Sequence, residues 1–439
     1  MNVADSQRLG SALEHLGYEF TGKVEDADVI VLNTCVVRQS AEDKAYGRLS
    51  SLKPLKNKNP GLVVNLMGCL VGIREPERLR AKYPFVDVFS PPSDPGPLIS
   101  YLTQGEVKKE ERRETDQRFA EMDEVPLSTN EKSMWSSGSP LLPEHERGKT
   151  VSVHLPVVLG CSHACTFCII PSRRGAERSR PADEIEAEAV LLVAQGVKEV
   201  TLLGQIVDRY GKDQPGGSDL EALLQKLNEI EGLERIRFLT SHPNYFGEDL
   251  MESVAKLPKV MPHIEIPIQA GDDEILKNMR RGYTQVEYRN KVADIRERIP
   301  GCSIATDIIV GFPGESETQF MTTYHLLEDL RMDVAHLARY STRPGTVAER
   351  LYQDDVPEEE KMRRFRMLED LQEKICGEIN AGYLGKKVEV LFEEKVKGRW
   401  RGRTPTNKLV FVESEEALGG QVRPVMVTWT GPWSMQARI

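Results

Sequence analysis

Three short runs of apolar residues alternate with amphipathic stretches near the start of the chain. The runs are ADVIVLNTC (27–35), GLVVNLMGC (61–69) and FVDVFSPP (85–92). Continuous apolar runs of this length are typical of buried parallel strands. Stretches with helical spacing, such as AEDKAYGRLSSL, stand between them. The pattern predicts a small open parallel α/β domain over residues 1–92.

The chain opens on a helix in this pattern, because Leu9, Leu13 and Leu16 are spaced to share one helical face. A doubly wound sheet normally begins with a strand. We therefore expect the first strand of this domain to be missing from the sequence.

Six further apolar runs lie between residues 151 and 346, separated by helical stretches such as PADEIEAEAVLLVAQG. They are VSVHLPVVLG, KEVTLLGQ, RIRFLTS, HIEIPIQAG, SIATDIIVGF and VAHLARYS. Six βα units in succession predict a partial or complete parallel barrel, in which chemistry takes place at the carboxyl ends of the strands. The periodicity fades over residues 93–150, which we interpret as a charged linker with one short helix.

A charged helix and then a group of short strands and turns close the chain. The segment from KKVEVLFEE through VMVTWTG alternates apolar and polar residues between turn signals. This pattern predicts a small β-barrel over residues 383–439, which leaves residues 151–382 for the central domain.

Composition favours a globular protein of the cytoplasm, with 39% apolar and 29% charged residues and no apolar run long enough to span a membrane. Seven cysteines, an odd number that is partly clustered, indicate metal ligation in a reducing compartment. The net charge of −10 argues against wholesale nucleic-acid binding. However, the residues from Leu384 onward carry +4, so basic charge is concentrated at the C-terminus.

One loop carries the most specific chemistry. The sequence GCSHACTFCIIP places Cys161, Cys165 and Cys168 directly after the first barrel strand. Three thiolates can hold three irons of a 4Fe–4S cluster and leave the fourth iron open. A zinc site, for which His163 would be the fourth ligand, and plain structural cysteines are the alternatives. Arg174, after the loop, is interpreted as a ligand for phosphate or carboxylate, or as a solvated rim residue.

The chain resembles the radical S-adenosylmethionine (SAM) superfamily and, within it, the methylthiotransferases. The matching segments are MNVADSQ, LNTCVVR, MGC, CTFCIIPSRRGAERSR, LLGQ, FLTSHP, IQAGDDEILKNMRRGYT, TDIIVGFPGE and YSTRPGT. The resemblance implies an N-terminal methylthiotransferase domain, a central radical SAM (β/α)6 partial TIM barrel and a C-terminal TRAM β-barrel that binds RNA or protein. It also implies that a 4Fe–4S cluster on Cys161, Cys165 and Cys168 binds SAM, whose reductive cleavage yields a radical.

Two more cysteines end predicted strands. Cys35 and Cys69 stand at the carboxyl ends of parallel strands, so their side chains can converge at one edge of the sheet. They resemble ligands of the family's auxiliary 4Fe–4S cluster, which takes part in sulfur insertion, although two buried inert cysteines would look the same. The family's third ligand lies in a Cys-Gln-Met-Asn run. This sequence begins at Met1-Asn2, so we expect either a misplaced start or a shortened protein.

The resemblance also suggests residues that bind SAM. Gln205 ends the second barrel strand and Asp307 lies on the fifth. GFPGE, with Gly311 and Gly314, resembles the segment that packs against the adenine of SAM, although a glycine-rich turn after a strand is also common for structural reasons.

The basic tail suggests an RNA-binding surface. In KVKGRWRGR, Lys397, Arg399, Arg401 and Arg403 interleave with Trp400. Strand alternation would place the three arginines on one face and Trp400 on the other, where it could be part of the core. We interpret the cations as contacts to RNA phosphates, and a merely soluble strand is the alternative.

The best-matching branch of the family converts isopentenyladenosine beside the tRNA anticodon to its 2-methylthio derivative. MNVADSQ and LLGQ favour this branch, but its usual Asn-Val-Asn is replaced here by Ile206-Val207-Asp208. In family terms, one SAM methylates a cluster-bound sulfur and a second supplies the radical that removes hydrogen from adenine C2. The implied partners of a monomeric enzyme are a tRNA anticodon stem-loop and an electron donor such as flavodoxin or ferredoxin.

Other functions fit the same residues. A methylthiotransferase of this family could instead act on threonylcarbamoyladenosine in tRNA or on a ribosomal protein. A non-catalytic RNA-binding iron–sulfur protein is the alternative of a different class.

Overall fold

The computed structural model of the protein describes residues 1–37, 39–73, 76–103, 141–214 and 216–439. Two compact units are present. The first comprises Met1–Arg147, Leu159–His163 and Cys168–Arg178, and the second comprises Gly148–Val158, Ala164–Phe167 and Ser179–Ile439. Residues 104–140 of the predicted linker lie outside the described residues. The domain limits predicted at residues 92, 150 and 382 stay predictions.

An open parallel sheet forms the centre of the first unit, as the sequence predicts. Its strands lie in the order β1 (Val29–Thr34), β2 (Val63–Gly68), β3 (Val88–Ser90). The helices of this unit are α1 (Asn2–His15), α2 (Gln39–Lys58), α3 (Pro76–Lys82), α4 (Gly96–Thr103) and α5 (Ile170–Arg174), with a 3-10 turn at Val24–Asp26.

Helices cover both faces of this sheet. Leu49 of α2 packs in one core with Leu66 of β2. Leu9 of α1 and Leu98 of α4 pack in the other core with Met67. Successive residues of a strand point to opposite faces, which is why Leu66 and Met67 belong to different cores. Helix α4 falls in the segment interpreted as linker, but its Leu98 is fully buried, so α4 is part of this unit.

Six parallel strands form the partial barrel of the second unit and confirm the six predicted runs. They are β4 (Ser152–Pro156), β7 (Glu199–Leu203), β8 (Arg235–Leu239), β9 (His263–Glu265), β10 (Ser303–Val310) and β11 (Val334–Arg339). They pair in the orders β4-β7-β8 and β9-β10-β11. Backbone hydrogen bonds such as Ser241 N to Glu265 O, 3.0 Å, join the two halves. Two short strands, β5 (Val158–Leu159) and β6 (Arg178–Ser179), flank the cysteine loop.

Helices follow the barrel strands along the chain. They are α6 (Ala182–Ala194), α7 (Leu220–Asn228), α8 (Glu248–Lys256), α9 (Asp273–Asn278), α10 (Gln285–Arg298), α11 (Glu317–Leu330), α12 (Val347–Leu351) and α13 (Glu358–Ala381). Capping boxes fix where two of them begin, Thr284 with Glu287 at α10 and Ser316 with Gln319 at α11. No helix in the described ranges is long and apolar enough to cross a membrane.

A closed five-stranded barrel ends the chain, as predicted. Its strands are β12 (Lys387–Val396), β13 (Arg399–Arg403), β14 (Leu409–Val412), β15 (Val422–Thr430) and β16 (Met435–Arg438), in the order β12-β13-β14-β16-β15. Alternate residues such as Val390, Phe392 and Val427 point inward and form its core.

The turn between β13 and β14 docks against the amino-terminal part of the central strands. Arg235, the first residue of β8, donates to Arg403 O at 2.7 Å, and Arg237 donates to Thr404 O and Pro405 O at 2.8 Å. Arg237 is also paired with buried Glu199 at 2.9 Å, so its charge is compensated. This docking occupies the end of the central strands opposite their carboxyl ends.

Candidate functional site

The cysteine loop is held by backbone contacts on both sides. Cys161 N donates to Gly175 O at 3.1 Å. Gly160 has φ 70°, and a Cβ there would lie 2.0 Å from Ala176 O, so only glycine permits this close approach. Thr166 is anchored by Met279 O at 3.1 Å and Asn278 O at 2.8 Å. These contacts hold the backbone at Cys161 in the first unit and the backbone next to Cys165 in the second.

A buried arginine donates to one of the three thiols. Arg281 Nη1 lies 3.1 Å from Cys165 Sγ, while its Nε donates to Tyr283 Oη at 2.9 Å and its Nη2 to Pro267 O at 3.2 Å. Burial raises the pKa of Tyr283 to about 12, so the phenol stays neutral. A guanidinium fixed at three points and aimed at a sulfur stabilises a thiolate, the form that binds metals.

The fit of an iron–sulfur cluster rests on these features together with the spacing. The loop supplies three thiols, Cys161 Sγ accepts from His163 N at 3.4 Å, and Cys165 Sγ accepts from Arg281. Hydrogen bonds to cysteine sulfur are typical of cluster sites. Within the described ranges no three Cys, His, Asp or Glu side chains, the three loop cysteines included, are gathered closely enough to hold a metal ion. The ligand role of the three cysteines thus stays a prediction from the sequence.

Cys35 and Cys69 follow adjacent strand ends. Cys69 N donates to Thr34 O at 3.1 Å, so the two cysteine-bearing ends lie side by side. Gly68 has φ 98°, and a Cβ there would meet Thr34 O at 2.5 Å, which explains the glycine. Cys69 is buried and Cys35 is half-buried. The expected convergence of these strand ends is present, and their role as cluster ligands stays a prediction.

Arg174 contacts the auxiliary cysteine pair. Its Nε lies 3.2 Å from Cys69 Sγ, its Nη1 3.3 Å from Ser93 Oγ and its Nη2 3.0 Å from Asn2 Oδ1. Burial raises the pKa of the Cys69 thiol, and the charge of Arg174 opposes that rise. Sequence reasoning treated Arg174 as a phosphate or carboxylate ligand, and the contact with Cys69 was missed.

Gly311 and Gly314 lie in the turn after β10, and their contact with SAM stays a prediction. Their amides donate to Glu315 Oε2 at 2.6 Å and to Asp355 Oδ1 at 2.7 Å. A Cβ at Gly311 would lie 2.4 Å from Lys361 Cγ. Both amide donors are therefore used by carboxylates of the chain itself.

Two acidic side chains lie close together on neighbouring barrel strands. Glu265 pairs in register with Ala305, two residues before Asp307 on β10. Burial and, secondarily, the charge of Asp307 raise the pKa of Glu265 to about 7. An acid of this kind can hold or release a proton near neutral pH. Gln205 is half-buried, two residues beyond the end of β7.

Asp208 and Ser241, at the carboxyl ends of β7 and β8, were not selected from the sequence. Asp208 Oδ2 accepts from His242 N at 2.9 Å, and burial raises the pKa of Asp208 to about 7. Asp208 Oδ1 and Ser241 Oγ are buried without a hydrogen-bond partner among the described residues. In the sequence, the only signal for Asp208 is that Ile206-Val207-Asp208 departs from the family pattern.

The predicted basic stripe of the small barrel is largely neutralised. Arg401 pairs with Glu394 at 2.7 Å, and both Arg401 and Arg403 pair with Glu393, at 3.2 and 3.4 Å. The Arg399 guanidinium lies 5.3 Å from the Phe411 ring centre.

Trp400, between these arginines, belongs to the interior of the small barrel. It packs against the barrel core, and its Nε1 donates to Glu416 O at 2.8 Å. The core position considered from strand alternation is therefore confirmed. Trp400 is only partly buried, and the stripe's contact with RNA stays a prediction.

Family models match two parts of the chain. Residues 155–327 match the Radical SAM superfamily, and residues 1–90 match Uncharacterized protein family UPF0004. These segments coincide with the central barrel and with the N-terminal parallel sheet.

Relatives with curated names match along the full length. A tRNA-2-methylthio-N(6)-dimethylallyladenosine synthase of Roseiflexus sp. is 46% identical over 99% of this chain and 87% of its own. Proteins of the same name from Herpetosiphon aurantiacus and Dehalococcoides mccartyi are 45% and 43% identical. The matches cover 99% and 100% of this chain, and 93% and 96% of those relatives.

A solved structure shares the fold at low sequence identity. The radical S-adenosylmethionine methyltransferase TsrM from Kitasatospora setae matches with a TM-score of 0.50 and 14% identity, over 73% of this chain and 66% of that one. At this identity the likeness concerns the fold alone.

Proposed function

The chain belongs to the radical SAM family of tRNA-2-methylthio-N(6)-dimethylallyladenosine synthases, and we propose that it adds a methylthio group to N(6)-dimethylallyladenosine beside the anticodon of tRNA. The observation that carries the proposal is 46% identity over 99% of the chain, which includes all three folded parts. As a radical SAM protein it uses a 4Fe–4S cluster and SAM.

We assign the SAM-binding cluster to Cys161, Cys165 and Cys168. Three thiolates leave one iron for SAM, and when bound the cluster supplies the electron that cleaves SAM to a radical. Arg281 donates a hydrogen bond to Cys165 Sγ at 3.1 Å and so orients this ligand. We further assign Gln205, just beyond the carboxyl end of β7, and Asp307, within β10, to the binding of SAM.

We assign Cys35 and Cys69 to a second cluster that provides the sulfur. Their adjacent positions at the ends of β1 and β2 and the hydrogen bond from Arg174 to Cys69 support this role. The target is an aromatic C–H bond at adenine C2, which side-chain acids and bases cannot break at neutral pH. An adenine in a single-stranded anticodon loop can leave its stack at modest cost and reach the barrel.

The remaining parts of the proposal concern organisation and partners. The division that we propose is a methylthiotransferase domain predicted at 1–92 and extended by α4, a radical SAM core at 151–382 and a TRAM barrel at 383–439. The predicted linker at 93–150 thus loses α4 to the first domain. We propose a monomer in the cytoplasm that receives electrons from a flavodoxin or ferredoxin.

Anaerobic reconstitution tests the function. The wild type and a Cys161→Ala variant are incubated with SAM, a reductant and tRNA with or without the dimethylallyl group, and nucleosides are analysed by mass spectrometry. We expect a methylthio product only from wild type with dimethylallylated tRNA. Product on threonylcarbamoyladenosine or on a ribosomal protein instead, or SAM cleavage with no methylthio product, would contradict the proposal.

A further inference from the structure

Charge is unevenly distributed over the small C-terminal barrel. All acidic residues after Leu384 lie between Glu389 and Glu416. Residues 417–439 contain Arg423 and Arg438 but no aspartate or glutamate. One part of the barrel therefore carries its acids, and β15 and β16 carry none.

Two of these acids form ion pairs with β13, the strand with the highest density of arginine. Glu393 and Glu394 pair with Arg401 and Arg403 of β13, at 2.7 to 3.4 Å. A phosphate would have to displace these carboxylates, and Trp400 packs against the barrel core, which leaves less of its ring for a base. The β13 surface is thus poorly suited to binding RNA.

A different face combines unpaired cations with exposed tryptophans. Lys387, Met426 and Arg438 are neighbours across β12, β15 and β16, and Trp429 lies opposite Gln436. Lys387 and Arg438 are exposed, and neither has an ion pair within the described part of the chain. Trp429 and Trp433 are 48% and 56% exposed. We call Lys387, Trp429, Trp433 and Arg438 the tryptophan face.

The backbone presents both indoles in fixed positions. A β-bulge in β15 just before Trp429 breaks the alternation there. The indole lies over Gly431, where a Cβ would be 2.5 Å from its Cη2. The turn that carries Trp433 is pinned because Asn380 Nδ2 donates to Gly431 O and Pro432 O at 2.8 and 2.9 Å. The backbone at both tryptophans is therefore held by the chain, which reduces the conformational entropy lost on binding.

Exposed large aromatic rings beside lysine and arginine, on or between strands β15 and β16, which carry no aspartate or glutamate, suit one class of partner. Bases of single-stranded RNA stack on aromatic rings, and their phosphates are attracted by lysine and arginine. We propose that the tryptophan face is where the small barrel binds RNA, with unstacked bases of the tRNA loop on Trp429 and Trp433 and phosphates on Lys387 and Arg438. This inference rests on the proposed function for the identity of the RNA.

Fluorescence anisotropy with the full-length, cluster-loaded protein tests the proposal. The probe is a labelled anticodon stem-loop RNA, and a blunt RNA duplex of equal length serves for comparison. The double variant Trp429→Ala/Trp433→Ala should weaken stem-loop binding by roughly tenfold or more. It should also lower the ratio of the affinity for the stem-loop to the affinity for the duplex. The corresponding Phe variant, which keeps aromatic rings, should bind within about threefold of wild type.

Salt dependence separates phosphate contacts from stacking. Lys387→Gln/Arg438→Gln should reduce the slope of log affinity against log salt by about two, whereas the Trp→Ala variant should keep the slope of wild type. The matched control on the rival surface is Lys397→Gln/Arg399→Gln. It should weaken binding by less than about threefold.

Two outcomes would overturn the inference. The first is an affinity of the Trp→Ala variant for the stem-loop equal to that of wild type, which would indicate that the tryptophan face binds a protein instead. The second is a larger loss of affinity in the Lys397→Gln/Arg399→Gln control than in the Trp→Ala variant. Failure of the proposed function is distinguishable, because RNA would still bind through Trp429 and Trp433 without methylthio product. If wild type forms the methylthio product but the Trp→Ala variant binds the stem-loop with unchanged affinity, only the proposal that the tryptophan face binds RNA is refuted.

Discussion

Arg174 donates a hydrogen bond from Nε to the Sγ of Cys69 across 3.2 Å. The arginine ends α5, the helix that begins just after Cys168, whereas Cys69 follows β2. Within the first unit, one side chain thus connects the helix after the SAM-cluster loop with a predicted ligand of the auxiliary cluster. A cation held against a buried thiol favours the thiolate that iron requires.

Replacement of Arg174 should weaken the auxiliary cluster. In a background with the three loop cysteines changed to alanine, Arg174→Gln should lower iron affinity at Cys35 and Cys69 by roughly 10- to 100-fold. Iron per chain, measured against increasing chelator, gives the affinity. Arg178→Gln is the control, because Arg178 is exposed and its loss should leave iron binding unchanged. Equal losses in both variants would show that Arg174 has no specific role.

Replacement of Arg281 should shift the potential of the SAM cluster. Hydrogen bonds and positive charge at a cysteine sulfur favour the reduced cluster, so Arg281→Gln should make the midpoint potential more negative. Arg281→Lys, which keeps a cationic donor, should fall nearer to wild type. Redox titration of a Cys35→Ala/Cys69→Ala background isolates this cluster. The exposed neighbour Arg280 is the control, and an equal shift in Arg280→Gln would contradict the expectation.

Asp208 should make stability depend on pH. Its pKa in the fold is about 7, above the ordinary value of 3.8, so the folded state holds the proton more tightly than the unfolded state. The resulting stabilisation is complete below about pH 4 and is lost as pH rises through about 7. Asp208→Asn keeps an acceptor for His242 N but cannot ionise. Its unfolding free energy relative to wild type, from anaerobic urea denaturation, should therefore increase between about pH 5 and 7.5. A constant difference would contradict the pKa shift.

Gly311 and Gly314 offer a matched pair of substitutions. Both have positive φ, 72° and 80°, so alanine is strained at either position by about 1–2 kcal/mol. Only at Gly311 would the new Cβ also meet a side chain, 2.4 Å from Lys361 Cγ, whereas nothing lies within 4 Å at Gly314. Gly311→Ala should therefore lower the unfolding free energy further than Gly314→Ala. Anaerobic urea denaturation of both variants measures this difference. Equal losses of unfolding free energy would contradict the steric argument.

The sequence predicted what local patterns determine. Within the described residues, the nine strands of the first sheet and the partial barrel lie in the predicted runs, because strands covered on both faces are rich in apolar residues. The spacing of the loop cysteines and the positions of Cys35 and Cys69 at strand ends are also local features, so the sequence predicts them.

Contacts between distant residues could not be predicted. Arg174 and Cys69 are 105 residues apart, and Arg281 and Cys165 are 116 apart. The pairing of Arg401 with Glu393 depends on the register between β12 and β13. No local pattern records these distances, so a stripe that looks basic in the sequence is neutralised in the fold. The tryptophan face likewise exists only because β12, β15 and β16 are neighbours.

Isotope transfer tests the central claim most directly. The reconstituted protein is incubated with SAM, a reductant and a dimethylallylated anticodon stem-loop that carries deuterium at C2 of the target adenine. We expect deuterium in the 5′-deoxyadenosine released by wild type, together with a methylthio group on that adenine, and neither product from Cys161→Ala. Cleavage of SAM without deuterium transfer, with the adenine unmodified, would contradict the account.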